Sequence, residues 1–367
     1  MTESHRAAPA SATTMETVAR EAGVSRATVS LVYRGAKGPS RASIEKVLAA
    51  GARLGYRHNA IAARLASKRT NTIGLSILDL TNEVFIEIAE GVRDALGGAE
   101  PGAAEGAVEA GAPGQKLVLA AARPERGDEL AAVESLLSAR VDAAIVSGSM
   151  LSDAQLASLA ASTPFVVVSR LVPGIDSVAA DDRLGGSLAT QHLIDLGHRR
   201  ILHLMPPVAP HYSERRAGYR ETMRAAGLRP LIQDTGFSLA DATETAAAVL
   251  RAADRPTAIF ADNDIAALGV LTAAAELGIP VPGELSVIGY DNTRAAALPG
   301  VALSSVDQQA RTLGRIGAEY ALEALAAGPG HRPVEPRSTL LAPSLHLRAS
   351  TAPPSVASSG AGRIRPQ

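Results

Sequence analysis

The sequence predicts an α/β protein, two lobes built on parallel sheets behind a small all-helical head. Three observations carry this. From Thr72 onward, short apolar runs rich in β-formers alternate with helical patterns, and apolar strands alternating with helices mean parallel sheets covered on both faces. Residues 71–350 are too many for one such sheet, which divides them into two lobes with a cleft between them. Finally, the net charge of -1 hides an asymmetry. Residues 1–70 hold twelve Lys and Arg against four Asp and Glu, a net +8, which leaves -9 for the rest. A basic head on an acidic body is the footprint of a nucleic-acid-binding module joined to a domain with another task, whereas a basic face without a motif would be merely solvated.

The head supplies a motif. Thr14 to Val32 reads as two short helices around a tight turn. Thr14 caps the first, Val18, Ala19 and Ala22 give it an apolar face, and Gly23 permits the left-handed turn. Ser25 caps the second, in which Val29 and Val32 face inward while Arg26, Ala27, Ser30 and Leu31 face out. A helix that enters the major groove needs this layout, with its first residues at the base edges and its amino end near a phosphate. Thr14, Ser25, Arg26, Ala27, Thr28, Ser30 and Leu31 are therefore the candidate DNA contacts of the head. A third helix, Ser40 to about Leu54, carries Ile44, Val47 and Leu48 to close the small core.

The strands of the body are expected at 73–78, 117–120, 143–146, 165–168, 201–204, 258–260 and 285–288, with a helix near Glu83–Leu96. In open sheets of this kind ligands bind beyond the carboxyl ends of the strands. Residues 1–13 and 351–367 are too poor in apolar side chains to order themselves and are expected as disordered tails; 14–58 is the head and 59–70 a hinge and linker. The Gly-, Ala-, Glu- and Pro-rich stretch Gly97–Gln115 reads as a flexible surface insertion.

Composition removes several classes. With 0 Cys there is no disulfide framework, thiolate zinc site or cysteine nucleophile. No Trp and only 3% aromatics leave little for single-strand stacking platforms. The start lacks the apolar stretch of a signal peptide and no window approaches a membrane span, which points to a cytoplasmic protein with no membrane partner. Parts for an enzyme are missing as well. Ser147-Gly-Ser149 lacks the flanks of a nucleophile elbow, and Gly111-Ala-Pro-Gly-Gln-Lys116 lacks the spacing and the Ser/Thr of a phosphate loop. The 8 His show no metal-ligand spacing, so neither metal nor cofactor is expected, and His198 reads as structural.

Met15-Glu-Thr-Val-Ala-Arg-Glu-Ala-Gly-Val-Ser-Arg-Ala-Thr-Val-Ser30 resembles the LacI/GalR family of bacterial transcription regulators. So do Leu54-Gly-Tyr-Arg-His-Asn59, Arg69-Thr-Asn-Thr-Ile-Gly-Leu75, Leu196-Gly-His-Arg-Arg-Ile201, Asn263-Asp-Ile-Ala-Ala-Leu-Gly269, Val287-Ile-Gly-Tyr-Asp291 and Leu347-Arg-Ala-Ser350, in that order. The resemblance covers nearly everything from Thr14 to Ser350. It implies a homodimer that binds a pseudo-palindromic, double-stranded operator, most often as a repressor. It also implies a hinge helix in the minor groove and a core like periplasmic sugar-binding proteins that holds a small, sugar-like effector. The hinge matches 59–66, with Asn59 and Ala62 on DNA and Leu65 at the position of an apolar wedge that kinks the duplex. Such a short helix is marginal alone and should form only on DNA. The tail has no apolar heptad, so a zipper-built tetramer is not expected.

By the same resemblance the effector contacts are Asn82, Phe85, Arg170, Arg215, Phe237, Asn263, Asp291 and Gln308. Acceptors, an arginine and an aromatic plate suit a polyhydroxylated ligand. Plainer roles stand beside these, since Asn263 and Asp264 can cap the helix that follows and Arg215 and Arg216 can be solvated. The chain departs from the family's pattern at several places: Leu31 where a basic residue is common, His58 where proline is usual, Ser169 where aspartate is frequent, and Glu83 where the segment is often proline or apolar. Leu31 offers only apolar contact, such as to a thymine methyl. Arg26 remains able to bond a guanine bidentately or to clamp a phosphate.

Overall fold

A computed structural model describes residues 13–33, 38–56, 70–97, 115–206, 214–327 and 335–355. The expected hinge helix with Asn59, Ala62 and Leu65, the His58 departure, residues 98–114 of the insertion, and residues 1–12 and 356–367 of the tails lie outside the described residues. The head belongs to one compact unit and the chain from Thr72 to a second.

In the head, α1 (Met15–Ala22), α2 (Arg26–Tyr33) and α3 (Arg41–Arg53) pack around Val18, Ala19, Ala22, Val29, Val47 and Ala50. Thr14 caps α1 reciprocally with Thr17, and Gly23 ends it at φ 67. Ser25 Oγ accepts the Thr28 amide at 3.1 Å, capping α2. One expectation needs correction: of the α3 residues assigned to the core only Val47 is buried, while Ile44 and Leu48 are 37% and 50% exposed. The inward face of α3 is Val47, Ala50 and Gly51, with Leu54 following at the same spacing, and Ile44 and Leu48 fall to one side of that stripe.

The second unit begins β1 (Thr72–Ile77), α4 (Glu83–Ala95), β2 (Lys116–Ala121), α5 (Glu129–Ser138), β3 (Ala143–Ser147), α6 (Asp153–Leu159), β4 (Phe165–Val168) and β5 (Asp176–Ala180). It continues α7 (Asp182–Asp195), β6 (Ile201–Met205), α8 (Glu214–Ala225), β7 (Leu231–Asp234), α9 (Leu239–Leu250), β8 (Ala258–Ala261), α10 (Asp264–Glu276) and β9 (Ser286–Tyr290). Last come α11 (Arg294–Ala297), β10 (Ser304–Asp307), α12 (Ala310–Ala327), β11 (Ser338–Leu341) and β12 (Ser344–His346).

Two six-stranded sheets result, ordered β11-β5-β4-β3-β1-β2 and β12-β10-β9-β8-β6-β7. All pairings are parallel except that of β12 with β10. The chain therefore passes between the sheets three times, after β5, after β10 and after β11. β1, β3 and β9 are buried at every position, as strands covered on both faces must be. The family expectation of a two-lobed core of parallel sheets is met.

The carboxyl tail begins later than expected. Thr351 and Ala352 are tied to the second lobe: the Ala352 amide donates to Ser286 Oγ at 3.0 Å, and Thr351 Oγ1 lies 3.0 Å from His192 Nε2. His198, expected to be structural, is buried beneath them. Its Nε2 lies 2.9 Å from the Ala352 carbonyl, which can only accept, so Nδ1 accepts from Thr257 Oγ1 at 2.9 Å. At the other end, Thr13 Oγ1 donates to the Leu54 carbonyl at 3.1 Å and so belongs to the head.

Candidate functional site

Between the two lobes of the second unit lies a cleft. Its walls are almost entirely residues just past the carboxyl ends of strands: Leu78 and Asp79 after β1, Gly148 and Met150 after β3, and Ser169 after β4. The other wall has Pro206 after β6, Phe237 after β7, Asp262 and Asn263 after β8, Asp291 after β9 and Gln308 after β10. Arg215 joins them from α8.

Of the expected effector contacts, Asn82, Phe85, Arg215, Phe237, Asn263, Asp291 and Gln308 line this cleft. Arg170 does not. It is buried within the first lobe, donating through Nη1 to the carbonyls of Leu151 (2.7 Å) and Ser149 (3.3 Å) and through Nη2 to Asp153. Ser169 takes the cleft position instead, at φ 75, and the chain there turns the next side chain toward the start of α6. Arg170 is thus corrected from ligand contact to structural strut.

Two of the plainer roles are also real. Asn82 Oδ1 caps α4 by accepting the Val84 amide at 3.1 Å, and Asn263 Oδ1 caps α10 by accepting the Ala266 amide at 2.8 Å. Each carboxamide oxygen is committed to a helix end, so the amide nitrogen is what remains for a ligand.

Arg215 is not a solvated surface residue. Its Nε donates to Asp182 Oδ1 at 3.0 Å, its Nη1 to the Asp262 carbonyl at 2.7 Å, and its Cζ lies 3.7 Å from the Tyr290 ring centroid. Tyr290 in turn donates to Asp182 Oδ1 at 2.7 Å. Burial opposes the charge on Arg215, but Asp182, Tyr290, Asp262 and Asp291 outweigh it and hold the guanidinium protonated. Nη2 has no hydrogen bond among the described residues and is left to the cleft.

Asp291 is 2% exposed, at φ 108, a conformation that costs an ordinary residue about 1–3 kcal/mol. Its Oδ1 accepts from Gln308 Nε2 while Oδ2 is buried with no partner among the described residues. Burial pushes its pKa up, Arg215 opposes this, and Asp264 adds to it. Asp262 Oδ1 is likewise buried without a hydrogen-bond partner among the described residues, and burial pushes that carboxyl up to about 6. The cleft is therefore lined by acidic side chains beside one ion-paired guanidinium, with Phe85 and Phe237 as apolar surfaces.

Sequence reasoning missed Asp262, the residue beside the singled-out Asn263, and also Asp79, Met150 and the role of His203 beneath Asp262. The signal for Asp262 was its place as the first residue past an apolar strand.

In the head, Arg26 and Ala27 are exposed at the start of α2, and Thr28, Ser30 and Leu31 are half-buried. Thr14 and Ser25 spend their side chains on capping. Among the described residues no group of acidic and histidine side chains could hold a metal ion, and no helix is long and apolar enough to cross a membrane.

Comparison with known proteins matches residues 14–59 to the bacterial regulatory proteins of the lacI family and residues 190–351 to a periplasmic binding protein-like domain. The chain is 33% identical over 353 residues to the transcriptional regulator GalR of Escherichia coli K12, covering 94% of this chain and 98% of that protein. It is similar to the lac repressor dimer bound to operator and the anti-inducer ONPF, with TM-score 0.76 and 26% identity, covering 93% of this chain and 99% of that one. A LacI family regulator of Enterococcus faecium with bound ribose gives TM-score 0.63 and 26% identity over 77% of this chain and 99% of that one.

Proposed function

The chain belongs to the LacI family of bacterial regulatory proteins, DNA-binding transcriptional regulators rather than enzymes, and from that premise we propose that it is a dimeric cytoplasmic repressor controlled by an uncharged polyhydroxylated ligand in the interlobe cleft. The observation that supports the ligand class is the cleft lining, in which the side chains of Asp79, Asp262, Asp291, Asn263 and Gln308 stand beside Arg215. Carboxylate and carboxamide groups pair with hydroxyls, which a sugar supplies. With Asp79 and Asp262 against Arg215, itself paired with Asp182, a phosphorylated or carboxylate ligand meets net repulsion.

The head reads the operator through α2, two heads meeting a palindrome. Closure of the lobes over a ligand moves the segments that lead to the two hinges. Such coupling is reciprocal and is typically about 1–3 kcal/mol. Calorimetric titration of the full chain with neutral sugars, sugar phosphates and purines tests the ligand class. A neutral sugar that binds wild type and not Arg215→Ala supports it; binding only of an anionic ligand contradicts it.

A further inference from the structure

Arg26, the first residue of the recognition helix α2, is not bare. Its Nε lies 3.1 Å from Oε1 of Glu16 in the first turn of α1, and the two side chains are 69% and 56% exposed. An ion pair so exposed adds little to folding, so the fold does not require Glu16. Among the described residues, Arg53 is paired with Glu21 and Arg41 with Glu45, whereas Arg20 and Lys46 form no ion pair.

A phosphate contact works through net positive charge, which releases the counterions condensed on DNA. Arg26 is poorly suited to that. A carboxylate already offsets its charge, and drawing the guanidinium onto a phosphate would draw Glu16 toward the same anion. Reading a base edge needs something else, two parallel N–H donors held in a fixed direction. Glu16 sits against the Nε side of the guanidinium, restrains a long side chain, and leaves the terminal fork of Nη1 and Nη2 free. Around it the helix offers no comparable donor, since Ala27 and Leu31 carry none.

Resting on the reading that α2 enters the major groove, we propose that Glu16 is a positioning residue for sequence recognition: it aims the terminal fork of Arg26 at O6 and N7 of one guanine in each half-site and keeps it off the phosphates. This decides between the two roles open to Arg26 and gives Glu16, a negative residue in a basic head, a function.

The test is selection of random duplexes with the full wild-type chain, Arg26→Ala, Glu16→Ala and Glu16→Gln, beside the salt dependence of binding to one unselected duplex. Wild type should enrich a guanine at one position of each half-site. Arg26→Ala should lower that preference tenfold or more and leave the other positions unchanged. Glu16→Ala should relax the same position alone, about threefold or more, and Glu16→Gln, which still offers an acceptor, should relax it less. On the unselected duplex the log–log salt slope should not change in Arg26→Ala. A slope shallower by about one, the signature of a lost phosphate contact, or an unaltered guanine preference in Glu16→Ala, overturns the proposal. Should wild type enrich no sequence, the operator reading fails separately, and the slope comparison still decides for or against Arg26 as a phosphate clamp.

Discussion

Nε2 of His203 and Oδ1 of Asp262 face each other at 3.7 Å, both buried and neither with a hydrogen-bond partner among the described residues. The ring's other nitrogen settles the tautomer. Nδ1 lies 3.0 Å from the Phe260 carbonyl, which can only accept, so Nδ1 carries the proton and Nε2 presents its lone pair to a carboxylate oxygen. Two acceptors face one another at the base of the cleft. Burial accordingly pushes Asp262 up to about 6 and His203 down to about 3.

These shifts have opposite consequences for stability. Asp262 has its folded pKa above its ordinary 3.8, so its contribution is present in acid and is lost as pH rises through about 6. His203 has its folded pKa below its ordinary 6.5, so its contribution is present above 6.5 and is lost as pH falls toward about 3. Between about pH 4 and 6 the two slopes oppose each other. Relative to wild type, His203→Gln should gain thermal stability on acidification from pH 6.5 to 4.5, and Asp262→Asn should lose it. Melting curves of the three proteins that move in parallel over that range would refute the pairing.

Arg215 holds together Asp182, the Asp262 backbone and the Tyr290 face. Its replacement by Ala leaves carboxylates buried without their cation, and breaking such a pair costs about 3–5 kcal/mol. The loss of melting temperature in Arg215→Ala should be largest at pH 7.5 and smaller at pH 5, where Asp262, pushed up to about 6, takes up a proton. An equal loss at both values would show that packing rather than charge is responsible.

Between the lobes, Glu83 of α4 accepts the backbone amide of Ala295 of α11 at 3.1 Å. Arg294 adds an ion pair with Glu90 and lies 4.0 Å from Glu87. These contacts join the two lobes without lining the cleft. Glu83→Ala should weaken ligand binding about fivefold, the worth of one hydrogen bond of about 1 kcal/mol, and calorimetry at rising salt should erase part of the difference. Unchanged affinity would mean that the latch does not bias closure.

Gly148 stands at φ 71 after β3, and a Cβ there would come within 2.4 Å of the Phe85 ring. Gly148→Ala must strain the backbone and push Phe85 into the cleft. It should destabilise the protein by about 1–3 kcal/mol and weaken ligand binding, read by melting and calorimetry. Normal binding with a normal melt would deny Phe85 its role as a wall.

What was legible in the sequence follows physical lines. Apolar runs such as Phe165-Val-Val-Val168 announce central strands, and β5, β7, β10, β11 and β12 escaped notice because they are short and mix polar with apolar residues. Cleft-lining positions were legible because open parallel sheets bind at strand ends, and motif positions fall there. Arg170 failed because position after a strand does not fix direction; the left-handed backbone at Ser169 does. His203 was invisible because a single polar residue in an apolar strand looks like core until its neighbours are known. Ile44 and Leu48 misled because helical spacing fits more than one face, and only packing with α1 and α2 chooses.

The central claim is that cleft occupancy controls DNA binding, and fluorescence anisotropy of the full chain on its selected duplex, titrated with the sugar found by calorimetry, tests it most directly. Saturation should change DNA affinity by about 5–150-fold, and Arg215→Ala should bind DNA like the ligand-free wild type and no longer respond. A ligand that fills the cleft and leaves DNA affinity unchanged would contradict the account.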